Sequence, residues 1–154
     1  MIRRTFLLGM VSIISSCGTL SALGEASEPL DTYDLLPAAG AKRGKRSSLT
    51  LLVARPQTSA VLATDRIVIK PDPAAITYLP DARWSDELPA MLQNLLVRSI
   101  SKTDRVAYVG YSEGGPTPDK ALLIRIDAFE VEALKDGSFE VGVDVFLSMI
   151  NDRE

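Results

Sequence analysis

The chain has 154 residues, 46% hydrophobic and 24% charged, a composition that fits one folded domain and not a disordered segment. Its 17 Lys+Arg and 20 Asp+Glu leave a net charge of −3, without the basic footprint of a general nucleic-acid binder. With no histidine and a single cysteine, Ser/His/Asp and Cys/His catalysis, histidine or thiolate metal sites and an intrachain disulfide are excluded.

Residues 1–16 read MIRRTFLLGMVSIISS. Arg3 and Arg4 make a positive stretch, Phe6 to Ile14 a short apolar one, and Ser15 and Ser16 a small-residue end. That is the layout of a secretory signal, because the apolar run falls short of the ~20 residues a membrane-spanning helix needs. Ile14, Ser15, Ser16 and Cys17 resemble a bacterial lipobox. The resemblance implies that the Cys17 thiol takes a diacylglyceryl group, that the signal is cut before it, and that the new amino group is acylated, for example with palmitate. Small residues let a peptidase grip extended backbone, and sulfur is the nucleophile that accepts the lipid. Two or more acyl chains anchor stably where a single chain binds only marginally. The plainer alternative is ordinary signal cleavage within SALGEAS (21–27), with Cys17 discarded. A mitochondrial presequence fits poorly, since the run is apolar and not amphipathic. By resemblance to enterobacterial lipoproteins, Gly18 in place of Asp leaves the outer membrane as the default destination, facing the periplasm, with the inner membrane as the alternative.

The organisation expected is therefore a signal peptide at 1–16, a lipidated Cys17 with a flexible tether at 17–29, and a domain at 30–154. LDTYDLL (30–36) reads as a first strand with Tyr33 and Leu35 on one face. Residues 37–48 form a loop, whose Lys42, Arg43, Lys45 and Arg46 read either as a solvated face or as a contact for anionic lipid. A buried strand at 49–56 ends at Pro56, and 57–65 reads as a helical turn. RIVIK (66–70) and AITYLP (75–80) form a hairpin around PDPA. Residues 84–102 hold the clearest helix, with Trp84, Leu88, Met91, Leu92, Leu95, Leu96 and Ile100 on one stripe and Gln93 and Asn94 off it. Its acids come early and its bases late, as the helix dipole prefers, and Pro89 belongs in the first turn.

After the helix come a strand at 105–112, a loop at 113–119, a long strand at 120–134 with a bulge near Ala128, a KDGS turn, and a cleanly alternating strand at 139–152. This pattern predicts an α+β fold, with an antiparallel or mixed β-sheet, a closing meander, and one strong amphipathic helix packed on one face.

Little in the chain reads as catalytic. Ser99 and Lys102 match Ser-x-x-Lys, but they lie near a helix end and lack the Ser-Asp-Asn and Lys-Thr-Gly partners of penicillin-recognising enzymes. GYSEGGP (110–116) is Gly-rich without a phosphate-loop signature. Asp127, Glu130, Glu132, Glu140 and Asp144 read as a solvated sheet face, not as a metal or acid/base site.

Together, the lipobox, Tyr33-x-Leu35, LLVARPQTSAVLATDRIVI (51–69) and ITYLPDARWSDELPAMLQNLLVRSI (76–100) resemble the auxiliary lipoprotein component of ABC-type transporters. The small lipoproteins that accompany MCE-type lipid transport systems are of this kind. The resemblance implies a non-enzymatic envelope protein without cofactors, lipid-anchored to the outer membrane. Its implied partners are an MCE-domain protein and the ABC permease and ATPase subunits, moving phospholipid or other hydrophobic substrates. Trp84 and Tyr78 are the candidate contacts for a partner or lipid. A general envelope scaffold or activator of another periplasmic system is the rival reading. The strand from Phe139 to Ile150 runs into NDRE as if into a turn, so a C-terminally truncated chain is expected, with Val141, Val143 and Val145 or their opposite-face neighbours partly uncovered.

Overall fold

The structure, a computed structural model, describes residues 30–37 and 45–151. In chain order it contains β1 (Asp31–Tyr33), β2 (Thr50–Val53), β3 (Gln57–Thr58), β4 (Arg66–Asp72), β5 (Ala75–Trp84), α1 (Leu88–Lys102), β6 (Tyr108–Tyr111), β7 (Lys120–Ala133) and β8 (Phe139–Asn151). The sheet runs β1-β5-β4-β7-β2-β6, with β3 and β8 also paired to β7. β4/β5 and β7/β8 are antiparallel, and the remaining pairs are parallel. The sheet is thus mixed, within an α+β fold.

β7 is the organising strand. One edge pairs in succession with β2, β3 and β4, while the other pairs along its whole length with β8. Its alternation is the cause: Leu122, Ile124 and Ile126 are buried, while Leu123, Arg125 and Asp127 point to the opposite face and are exposed. The register slips between Ile126 and Ala128, where the sequence predicts a bulge.

The core lies between this face and α1. Leu88, Met91 and Leu92 pack with Leu51, Val53, Leu62, Val68, Leu122, Ile124 and Ile126, and Leu95, Leu96 and Ile100 close its margin. α1 begins without a side-chain cap at Glu87, and the Leu88 amide instead donates to the Thr64 carbonyl at 3.0 Å. Pro89, in the first turn, removes a donor that has no helical partner. At the other end the Thr103 amide and hydroxyl both return to the Ile100 carbonyl, and Asp104 turns the chain with φ 54°.

Several sequence expectations need correction. Residues 57–65 are not a helical turn throughout, since Gln57–Thr58 pair with β7 before the chain turns. The first strand stops at Tyr33, and Leu35 leaves the sheet to pack against the core. β5 continues through Pro80 to Trp84, and the PDPA hairpin closes tightly as the Asp72 carboxylate accepts from the Ala74 and Ala75 amides. The closing meander is limited to β7 and β8, because β6 pairs with β2 and not with its chain neighbour. Asp86 and Glu87 precede the first turn of α1 and do not lie within it. Gln93, placed off the apolar stripe by sequence, is buried, and its amide donates to the Val53 carbonyl at 2.8 Å. A polar residue at a core position is legible only once the open carbonyl it satisfies is known.

Candidate interaction surface

β8 is the most exposed apolar element of the described residues. Phe139, Val141, Val143, Val145, Leu147 and Met149 share the face that carries the core on β7. Phe139 and Val141 are 72% and 70% exposed, and Val143, Leu147 and Met149 are about half exposed or more. Val145, opposite the buried Ile126, is half-buried and joins the core margin. The expectation that Val141 and Val143 are uncovered therefore matches the structure. On the reverse face Phe146 and Ile150 are also exposed. A strand at a sheet edge with one apolar face this exposed reads as a surface for another polypeptide or an apolar phase.

The surroundings of this strand are charged. Glu130, buried, takes the Lys70 ammonium at 2.5 Å. That hydrogen bond, with the charges of Glu130 and Glu132, holds the Lys70 pKa above its ordinary value. Gly142 sits opposite Glu130 on β8, and a side chain there would meet the Glu130 and Glu132 carboxylate arms. Further along, Arg125 forks onto Asp127, lowering that carboxyl's pKa, and stacks 5.1 Å from the Phe146 ring. A cleft of about 200 Å³ beside it is lined by Arg55, Leu123, Arg125, Phe146 and Ser148. That is below the roughly 300–1,000 Å³ of small-molecule pockets. At this cleft the geometry favours docking over ligand capture.

Trp84 and Tyr78 both lie on β5 and are half-buried against the core. The Trp84 ring meets Phe129 edge-on at 5.8 Å, and Tyr78 carries the Arg66 guanidinium over its ring at 4.6 Å. The two are brought to one strand, with much of their surface already used inside the domain. Ile14, Ser15, Ser16 and Cys17 lie outside the described residues. Ser99 is half-buried and Lys102 exposed at the end of α1. Among the described residues no group of acids and cysteine could hold a metal ion, and no helix is long and apolar enough to cross a membrane. Phe146, Leu147 and Met149 were missing from the candidate contacts read from sequence. Their alternation was the available signal, but it does not say which stretch the helix leaves open.

The model of the ABC-type transport auxiliary lipoprotein component family matches residues 33–153, nearly all of the described domain. The chain belongs to this family. It is thereby a lipoprotein-type component of ABC transport, associated with the cell envelope. Among curated proteins no match is found. Of the solved structures, the crystal structure of protein XCC0632 from Xanthomonas campestris is similar with a TM-score of 0.68 at 20% identity, covering 79% of this chain and 69% of that one. A second crystal structure, titled only as an uncharacterized protein, is similar with a TM-score of 0.53 at 16% identity, covering 82% and 83%. At these identities the likeness concerns the fold.

Proposed function

We propose that this auxiliary lipoprotein serves an MCE-type lipid transporter, anchored through Cys17 to the outer membrane and facing the periplasm. The family match over residues 33–153 carries the reading. In it the domain has no catalytic role, and ATP is hydrolysed by a separate subunit. Its own contribution is contact: the exposed β8 strand offers an edge and an apolar face to an MCE-domain protein or to the permease.

The test is co-purification of tagged protein from membranes with the MCE-domain and permease subunits. Enrichment of both, lost with Val141→Asp and Leu147→Asp together, supports the reading. Recovery of some other envelope system, with no transporter subunit, supports the scaffold reading in its place. Fatty-acid analogue labelling checks the anchor, and Cys17→Ser is expected to abolish it.

A further inference from the structure

We infer that the end of the domain where α1 stops is a docking face for an anionic phospholipid surface. Two stretches far apart in sequence are joined there. The Ser47 amide donates to the Arg105 carbonyl at 2.9 Å, Arg46 Nη2 donates to the Ala107 carbonyl at 3.5 Å, and Arg46 Nη1 lies 3.7 Å from Asp104. The junction joins the stretch that carries Lys45 and Arg46 to the one that follows Lys102, the last residue of α1, and carries Arg105. All four are exposed, and Asp104 is the acid among them. Among the described residues the side chains of Lys45, Lys102 and Arg105 have no ion-pair partner. In a chain of net charge −3 this is a local excess of positive charge, and long cationic side chains reach outward from it.

The opposite end of α1 differs. Asp34, Asp65 and Glu87 lie there, each paired to an arginine (Arg98, Arg83 and Arg55). There each acid is balanced by its arginine, so the unpaired cations lie where α1 ends, about 22 Å along its 15 residues from where it begins. A phospholipid surface is favoured as the occupant because the inference rests on the lipid-anchored reading: a tethered domain meets the bilayer at high effective concentration, and weak charge attraction then suffices to orient it. The bilayer would hold the cationic end toward it and leave β8 free for a partner.

The experiment is vesicle flotation of the full chain carrying Cys17→Ser, so that no acyl anchor holds it to both vesicles alike, on phosphatidylcholine alone and with about 30% phosphatidylglycerol, at low and high salt. The expected result is at least ~10-fold more binding on the anionic vesicles, lost in ~0.5 M salt. Lys45→Glu, Lys102→Glu and Arg105→Glu together abolish the difference, and Lys102→Gln alone, which removes one charge, reduces it about fivefold. A thermal melt checks that these exposed substitutions leave the fold intact. Equal binding to both vesicles, or an anionic preference that survives the triple substitution, overturns the inference. Anionic preference that persists although Cys17→Ser labels like wild type supports the face and removes the anchor. Loss of preference with Cys17 labelled normally removes the face alone.

Discussion

Ile126, Ile124 and Leu122 on β7 are 1%, 4% and 7% exposed, yet Leu147 and Met149, directly across the ladder from Ile124 and Leu122 and on the same face, are 50% and 53% exposed. The residues are chemically alike and a single strand apart. Their environments differ because of where α1 lies, packed over β2 and β6 and the near side of β7. Apolar character decides that a position can be core, and the footprint of the covering element decides that it is.

The sharpest way to break this comparison is to shorten one side chain in each region. Leu88→Ala, on the buried face of α1, is expected to cost about 2–5 kcal/mol, a large part of the stability of a domain this size. Leu147→Ala is expected to cost under ~1 kcal/mol, because half of its side chain is already in water. Urea titration of both reads the contrast directly, and equal losses would mean that the β8 face is covered in solution. Gln93→Leu comes next, at about 1 kcal/mol. It removes the buried amide from the Val53 carbonyl but leaves that oxygen the Ser112 amide at 3.2 Å.

Gly137→Ala tests the uncovered side through its turn. Gly137 has φ 82°, so alanine costs about 1 kcal/mol there even though the space is open. A smaller effect lies in alkaline solution. The Lys70 pKa is raised from 10.5 on folding, so its stabilising contribution is complete below that value and is lost as pH rises through the raised one. Lys70→Arg, which stays charged, is expected to flatten that part of the stability–pH curve. The least effect on stability belongs to Val141→Lys with Leu147→Lys, expected within ~0.5 kcal/mol of wild type. Their sign is read in light scattering, where association through β8 falls.

Much of the domain was legible because periodicity is strong where an element faces a core on one side. The helix from Leu88, the long β7 and β8 strands, their Asp-Gly turn and the bulge before Ala128 all follow from alternation and turn chemistry. Pairing was not legible. Nothing local tells β6 to lie beside β2, or Gln57 and Thr58 to find Arg125 and Ile126, since those choices are made by the long strand all of them share. The family was readable from motif order, from Tyr33-x-Leu35 to the helix. On β8 the alternation marks the stripe that the structure leaves exposed, whereas nothing local shows that the Trp84 ring meets Phe129 or that Arg66 lies over Tyr78, since those partners are far off in sequence.

The central position of β7 has a consequence in time. Its residues come late in the chain, and Lys120 pairs with Leu51 across 69 positions of sequence. Until β7 is present, β2 with β6 and β4 with β5 are fragments with no strand to join them. Loop closure over such distances is slow and unrewarded until it is complete. In a chain that emerges from its N-terminus, this wiring leaves β2, β4, β5 and β6 without their common partner until Lys120–Ala133 arrive.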